Sequence, residues 1–427
     1  MSFHDDLARA AAWVERYFER LPELPVAASV QPGEVRSKLP AEAPEQPEPF
    51  ETLLRDLDEV ILPGITHWNH PRFFAWFSNT GSEPGVLAEL LIAAMNVNNM
   101  TWLASPAATE LEVTVMSWLA RLLGLPAGWH GHIEDTASTA TVAALAAART
   151  QRPGGVVYAS EHANFSVEKA ARLVGLEYVK VAVDDEFRMR ADFPLHDATA
   201  VVATVGTTGT TSVDPVRELA ARCEEAGAWL HVDAAYAGAA AVCPELRWCL
   251  DGCDHADSLV VNPHKWLFTP MDCSALWTRR PEAFHEAFAL VPDYLAATQD
   301  AVDLKDFGPA LGRRFRALKL WAVLRMYGAE GLRALIREHV RLAQLFASLV
   351  EAHPDWQVVA PHPFSTVCFR HIRADNFELA ARATATGEVF VAATRLRGED
   401  AIRLAVGNAR TTEADVRRAW EVLRSCA

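Results

Sequence analysis

The sequence predicts an α/β protein whose larger part is built on a mostly parallel β-sheet. Between about residues 82 and 280, short segments rich in β-branched residues alternate with helical stretches, which is typical of βαβ units. The chain has 427 residues, 50% of them hydrophobic and 22% charged, so it can bury a core larger than that of one small domain. Together these observations favour a large sheet domain with smaller parts attached.

The strands and helices of this large domain are predicted in alternation. Predicted strands lie at 156–159, 178–183, 200–205, 229–232, 258–261 and 275–278. Predicted helices lie at 138–150, 166–174 and 216–226.

We expect three parts along the chain. Residues 1–66 are predicted to form helices around a connector rich in proline and glutamate, with too little apolar surface for a core of their own. This segment is therefore expected to pack on another surface, for which a second subunit is the natural candidate. Residues 67–310 form the large domain. Residues 311–427 form a small α+β domain that starts with long helices and has strands at 367–369 and 401–404.

Charge and composition argue against several classes of function. The net charge of −15 is opposite to the excess needed to bind nucleic acid or an anionic membrane surface. The first residues lack the basic head and apolar stretch of a secretory signal, and the most apolar region, 85–95, contains Glu89. The seven cysteines form no C-x-x-C pair or zinc-ligand pattern, which predicts reduced thiols in the cytoplasm and no metal site.

A lysine follows one of the predicted buried strands. The segment SLVVNPHKW runs from an apolar strand into a loop that holds Asn262, His264 and Lys265. Ligands of open α/β sheets bind at the carboxyl ends of the strands, so Lys265 is expected to point at a site. A partly desolvated lysine can form an imine with an aldehyde cofactor. On its own, a lysine after a strand is usually a solvated surface residue.

An aspartate ends another predicted strand, in the segment WLHVDAAY. A buried charge at Asp233 is costly unless it has a partner. In enzymes that use pyridoxal 5′-phosphate (PLP), this partner is the protonated pyridine nitrogen, which lets the ring act as an electron sink. For an isolated aspartate, capping of the next helix is the alternative role.

Two further segments are suited to binding the phosphate and the ring of such a cofactor. Thr136, Ala137 and Ser138 open an alanine-rich helix, and hydroxyls with free backbone N–H groups at a helix N-terminus make an anion site. Simple N-capping explains the same residues and is compatible with phosphate binding. The segment GTTGT, which contains Thr208, follows another strand, where small hydroxyl residues suit close contact with a ring.

The segments HVDAAYAGAA, NPHKWLFTPMDCSALW, SPAATELE and LGRRFRALKLW occur in an order and spacing that are specific to one family. In these segments the chain resembles the group II PLP-dependent decarboxylases, the aromatic-L-amino-acid decarboxylase family of fold-type I. The similarity runs from about Trp68 to Trp420. It implies a large domain like that of aspartate aminotransferase, and a homodimer with shared active sites.

The resemblance implies roles position by position. Lys265 would hold the cofactor as a Schiff base, Asp233 would pair with the pyridine nitrogen, and Ala235 would pack against the ring. The residues implied at the phosphate are Ala137, Ser138, Asn262 and His264, with Thr136 nearby and Thr208 close to the ring. The residues implied at the substrate, an L-amino acid, are Trp68, Trp76, Phe77, Asn98, Met100 and Arg403, of which Asn98 and Met100 would reach across the dimer interface. For this last group, core aromatics and a solvated arginine are the alternative.

The sequence departs from the family at two positions that concern proton transfer. Where the family has a histidine stacked over the ring, this chain has Asn164, with His162 two residues earlier. Where plain decarboxylases carry a tyrosine, in the loop before LGRRFR, this chain has Leu304. The resemblance implies that the tyrosine, assisted by the histidine, protonates the substrate carbon after CO2 has left.

Without both groups, the carbanion left by decarboxylation should persist and react with O2, giving an aldehyde, ammonia and peroxide, as in aldehyde-forming members of the family. We therefore favour decarboxylation coupled to oxidative deamination. The alternatives are a simple decarboxylase in which water or His162 supplies the proton, β-elimination from a cysteine conjugate in natural-product biosynthesis, and a non-catalytic PLP-binding protein. Amides and hydroxyls between residues 78 and 99 add polarity, so a polar or sugar-bearing amino acid is one hypothesis for the substrate.

Overall fold

The computed structural model describes residues 2–290 and 301–427. Its contacts divide the chain into two compact units. The first comprises Met1–Ser78, Phe346–Val358 and Phe369–Ala427, and the second comprises Asn79–Leu345 and Val359–Cys368. The three-part division of the sequence stays a prediction.

The first unit begins with three helices: α1 (Phe3–Arg20), α2 (Glu34–Lys38) and α3 (Phe50–Asp56). Ser2 and Asp5 form a reciprocal capping box that starts α1. No side chain of α1 is buried in the chain as described. The helix is nevertheless tied down by Trp13, which stacks on Tyr17 and donates an indole hydrogen bond to Asp58 at 2.9 Å.

In the described part of the second unit, seven strands form one sheet. They are β1 (His130–Glu134), β2 (Val156–Ser160), β3 (Glu177–Val181), β4 (Ala198–Thr204), β5 (Trp229–Asp233), β6 (Ser258–Val261) and β7 (Ser274–Thr278). Their order in the sheet is β1-β7-β6-β5-β4-β2-β3. The five strands from β6 to β3 are mutually parallel, whereas β7 runs antiparallel to β6 and β1 antiparallel to β7. The mostly parallel sheet is thus confirmed, with β1 as a strand that was not predicted.

Helices alternate with these strands. They are α4 (Glu83–Met95), α5 (Pro106–Leu123), α6 (Ala137–Gln151), α7 (Phe165–Leu173), α8 (Val216–Ala226), α9 (Pro263–Trp266) and α10 (Pro281–Phe288). The small side chains of α6 let it lie close to the sheet, where Ala140, Ala143, Ala144 and Ala147 are fully buried.

A long helix, α11 (Ala317–Glu351), follows, with a kink at Gly328, whose φ of 63° is left-handed. A four-stranded sheet comes last. Its strands are β8 (Trp356–Val358), β9 (Thr366–His371), β10 (Ala392–Leu396) and β11 (Glu399–Ala405), in the order β10-β11-β9-β8. The helices α12 (Asn376–Ala385) and α13 (Glu413–Ser425) accompany it. Both predicted strands of this region are present, within β9 and β11.

Candidate active site

The candidate site lies where the central parallel strands of the second unit end. Asp233, the last residue of β5, pairs in register with Thr204 of β4 and with Val260 of β6. Lys265 lies four residues beyond the end of β6, and its N–H donates to the carbonyl of Asn262 at 2.9 Å. Because β4, β5 and β6 are parallel neighbours, the segments that follow them meet at one sheet edge.

Asp233 is a buried carboxylate at this edge, only 5% exposed. Its Oδ1 accepts the N–H of Ala235 at 3.1 Å. Burial raises the pKa of Asp233, and the positive charge of Lys265 opposes that rise. Since desolvation disfavours the charged carboxylate, the site gains from a cation placed beside it.

The first turn of α6 offers backbone donors. Thr136 caps the helix in a reciprocal capping box with Thr139. Within residues 2–290 and 301–427, no hydrogen-bond acceptor meets the backbone N–H groups of Ala137 and Ser138. The Ser138 side chain is exposed, so an anion can reach these donors.

Asn262, the N-cap residue of α9, and His264, within α9, lie side by side and are both buried. The N–H of Cys273 donates to Nδ1 of His264 at 3.0 Å, and Nε2 of the same ring lies 3.2 Å from the Asn262 amide. Burial, together with the charge of Lys265, lowers the pKa of His264 to about 3, so its ring is neutral at physiological pH. Because Nδ1 accepts a backbone N–H, the single ring proton sits on Nε2.

Asn164 and Thr208 come together from different loops. Asn164 caps α7, with its Oδ1 accepting the N–H of Ser166 at 3.0 Å, and its Nδ2 donates to Oγ1 of Thr208 at 3.1 Å. The ring of His162 lies edge-on to Phe187, with ring centres 5.6 Å apart. Leu304, in a short 3-10 turn, is fully buried.

The residues implied at the substrate fall into both units. In the first unit, Trp68 stacks on the half-exposed Trp76 at 5.3 Å, and the Arg403 guanidinium lies 4.9 Å from the centre of the Phe77 ring. Arg403 is 3% exposed and is therefore not a solvated surface arginine. In the second unit, Asn98 accepts the N–H of Arg313 on its Oδ1 at 3.0 Å. There the carbonyl of Met100 accepts the N–H of Lys305 at 3.0 Å.

Sequence reasoning missed one buried acid near the site. Asp214 accepts the N–H groups of Met189 and Thr204, both at 2.7 Å, and so fixes the segment that follows β4. Burial raises its pKa to about 7, opposed by these two hydrogen bonds. Asp214 precedes a proline, which is also a common turn sequence, so its position alone gave no functional signal.

Comparison with known proteins agrees with this geometry. Residues 32–372 match the family model described as the pyridoxal-dependent decarboxylase conserved domain. Aromatic-L-amino-acid decarboxylase of Sus scrofa is 40% identical, covering 96% of this chain and 93% of that protein. Phenylacetaldehyde synthase of a Rosa hybrid cultivar is 37% identical, with 97% and 92% covered. The crystal structure of Oryza sativa TDC with PLP and tryptamine superposes with a TM-score of 0.95, at 35% identity, covering 99% of this chain and 97% of that one.

The fold and the site thus define a fold-type I enzyme that depends on PLP. The chain belongs to the pyridoxal-dependent decarboxylase family, and the chemistry of that family is the decarboxylation of amino acids. The side chains present fit the cofactor. Among the residues that the structure describes, the buried carboxylate of Asp233 accepts one hydrogen bond, from Ala235, and the N–H groups of Ala137 and Ser138 meet no acceptor.

Proposed function

We propose that this enzyme decarboxylates an L-amino acid and releases an aldehyde rather than an amine. The observation that carries the proposal is the side chain at the stacking position. Asn164 presents a carboxamide whose two ends are already engaged by Ser166 and Thr208. An amide has no proton that it can give up near neutral pH, so this position lacks a general acid.

The residues of the site then take the following roles. Lys265 attaches the cofactor through Nζ, and Asp233 holds the proton on the pyridine nitrogen. Ala235 packs against the ring. The phosphate is bound by Ala137, Ser138, Asn262 and His264, with Thr136 nearby. When bound, the cofactor supplies an electron-withdrawing ring that lets CO2 leave from the substrate.

Protonation of the substrate α-carbon decides the product. Neither Asn164 nor the aliphatic Leu304 can deliver a proton to that carbon, so O2 competes as the electron acceptor. One amino acid, one O2 and one H2O then give one aldehyde with one CO2, one NH3 and one H2O2. Support comes from the relatives, which include both amine-forming decarboxylases and a phenylacetaldehyde synthase. The rival outcome is amine formation with water or His162 as the acid.

For the substrate we propose an aromatic L-amino acid bound by Arg403 and by the stacked indoles of Trp68 and Trp76. Stacked indoles suit a flat ring, and a guanidinium suits a carboxylate. The relatives named for tryptophan, tyrosine and aromatic amino acids support the same class. Asn98 and Met100 complete the pocket from a partner subunit.

We also propose a cytoplasmic homodimer. The helix α4 carries four large apolar side chains that are half exposed in the single chain: Leu87, Leu90, Leu91 and Met95. An apolar patch of this kind is typical of a surface that another subunit covers. The seven cysteines are free thiols, which suits a reducing compartment. None of the helices in the described ranges is long and apolar enough to cross a bilayer.

The test is product analysis with a panel of L-amino acids. The PLP-loaded enzyme is incubated with phenylalanine, tyrosine, tryptophan and several polar amino acids, while O2 uptake, CO2 release and product mass are followed. We expect an aromatic aldehyde, with O2 consumed in a one-to-one ratio to CO2. An amine formed without O2 uptake would contradict the proposal, as would thiol and ammonia without CO2. A polar amino acid as the best substrate would overturn the aromatic assignment.

A further inference from the structure

A cluster of ionic side chains joins the start of α11 to the segment before β7. Nε and Nη2 of Arg316 donate to the two oxygens of Asp272 at 3.0 and 2.9 Å. Lys319 is fully buried, and its Nζ lies 2.6 Å from Glu89 and 3.8 Å from Asp272. Asp272 therefore lies beside two cations, Arg316 directly before α11 and Lys319 in its first turn.

The residues that follow Asp272 make the contacts that orient the predicted phosphate side chains. The N–H of Cys273 donates to Nδ1 of His264, and its carbonyl accepts the N–H of His264 at 3.2 Å. Oγ of Ser274 donates to Oδ1 of Asn262 at 2.8 Å. Asp272, Cys273 and Ser274 are consecutive, and they thus connect the cations at the start of α11 to both Asn262 and His264.

The orientation of His264 matters because its ring is neutral. A neutral imidazole attracts a phosphate only through the hydrogen on Nε2, and that hydrogen is on Nε2 because Cys273 occupies Nδ1. If the Cys273 backbone moved, the ring could adopt the other tautomer and turn a lone pair toward the phosphate oxygens. A small displacement of this segment would therefore weaken phosphate binding.

We propose that Arg316, acting through the two-pronged contact with Asp272, is a positioning residue for the phosphate of the cofactor. The proposal rests on the assignment of Asn262 and His264 to the phosphate made above. Arg316 itself is not expected to touch the cofactor. Arg316 holds Asp272 in place. The position of Asp272 in turn sets the hydrogen bonds of Cys273 and Ser274, which orient the side chains of His264 and Asn262.

The electrostatics of Arg316 agree with this placement. Burial lowers its pKa, but the hydrogen bonds to Asp272 and the charge of that carboxylate, with smaller contributions from Asp135 and Cys273, together raise the pKa overall. Asp135 directly precedes the capping residue of α6. The guanidinium is therefore within electrostatic reach of both sides of the predicted phosphate site.

The test compares the affinity of the full-length chain, freed of cofactor, for PLP and for pyridoxal, which lacks the phosphate. The measured quantity is the ratio of the dissociation constant for pyridoxal to that for PLP. Arg316→Met and Asp272→Asn are each expected to lower this ratio about tenfold, the loss typical of a misaligned hydrogen bond to a charged group. Arg316→Lys, which keeps the charge but loses the planar fork, is expected to behave like Arg316→Met.

The matched control is Arg337→Met. Arg337 lies in α11, the helix that Arg316 directly precedes, and makes the same two-pronged contact, at 2.6 and 3.1 Å, to Glu245, where both side chains are half exposed. Its loss should leave the ratio unchanged. Circular dichroism and the melting temperature identify variants that fail to fold. If Arg316→Met does not fold, Asp272→Asn and Arg316→Lys decide the question.

The outcomes separate this inference from the proposed function. An unchanged ratio in folded Arg316→Met and Asp272→Asn would overturn the positioning role, as would wild-type behaviour of Arg316→Lys beside an impaired Arg316→Met. An equal loss of affinity for both ligands would also overturn it, because that is the signature of a general structural defect. A wild-type chain that does not prefer PLP over pyridoxal would instead refute the phosphate assignment itself.

Discussion

The side chain of Asn164 donates a hydrogen bond to Thr208 across 3.1 Å, although 44 residues separate the two in the chain. The contact joins the loop after β2 to the loop after β4. It holds the amide of Asn164 in a fixed orientation, at the position that we predict to lie over the ring of the cofactor. We therefore expect the side chain at position 164 to determine whether a general acid is available to protonate the substrate.

Asn164→His should move the product from aldehyde toward amine, because an imidazole can carry and deliver a proton. We expect the ratio of amine to aldehyde to rise roughly tenfold or more, since a positioned general acid typically contributes at least that factor. Mass spectrometry of the products and O2 uptake per CO2 check this. His162→Asn is the control and should leave the ratio unchanged. A decarboxylating Asn164→His enzyme with the wild-type ratio would refute the role of this position.

Lys265→Ala should remove covalent attachment of the cofactor and lower turnover by roughly three orders of magnitude, or about 4 kcal/mol of activation free energy. The covalent attachment can be followed by the absorbance of the bound cofactor, between roughly 320 and 450 nm. In the wild type, borohydride should fix the cofactor to the peptide that contains Lys265. The exposed Lys169 serves as the control when replaced by alanine. Cofactor fixed to any other lysine would refute the assignment.

Asp233→Asn should lower turnover about a hundredfold or more, which corresponds to about 2.7 kcal/mol, since an amide cannot stabilise the pyridinium charge. Steady-state kinetics of CO2 release at saturating PLP measure the effect. Asp251→Asn, at an exposed aspartate paired with Arg217, is the matched control. Turnover within a factor of two of the wild type would show that Asp233 does not pair with the ring nitrogen.

Asp214 should make stability fall with rising pH. Its pKa of about 7 in the folded chain lies above the ordinary value of 3.8, so the folded state holds a proton that the unfolded state has lost. The stability it contributes is complete below about pH 4 and is lost as the pH rises through 7. The difference in unfolding free energy between the wild type and Asp214→Asn should therefore shrink by a few kcal/mol across this range, at about 1.4 kcal/mol per pKa unit.

Urea unfolding measures the difference in unfolding free energy between the two proteins. It is carried out from roughly pH 4.5 to 8, which spans most of the range between the unfolded and folded pKa values of Asp214. Asp214→Asn also leaves one of the N–H groups of Met189 and Thr204 without an acceptor. That loss shifts the curve by an amount that does not depend on pH. Curves for the two proteins that run parallel across the whole window would contradict the prediction.

The sequence predicted those parts of the fold that local patterns encode. Strands rich in β-branched residues, such as β4, formed where expected, and Asp233 ends β5 while Lys265 follows the neighbouring strand β6. The strand β1 was missed because its sequence, HGHIE, is polar and lacks a β-branched run. It forms because it pairs with β7 along its full length, a contact distant in the chain.

Side-chain contacts between segments that are distant in the chain could not be predicted from the sequence either. Arg316 lies in the segment LGRRFRALKLW and Asp272 in the segment NPHKWLFTPMDCSALW. Their contact depends on the packing of α11 beside the segment before β7, which no local pattern specifies. The hydrogen bond between Asn164 and Thr208 is of the same kind. The substrate roles of Trp68, Trp76 and Arg403 stay predictions.

Asn164 has a second role, because its side-chain oxygen caps α7. Replacing such a cap typically costs about 1 kcal/mol of stability. If Asn164 sets the reaction product as proposed, an evolutionary exchange between asparagine and histidine at this position would change the product and remove the N-cap of α7 in the same step. Lineages that cross between the two outcomes should carry compensating changes near the beginning of α7, where a new cap would restore the lost hydrogen bond.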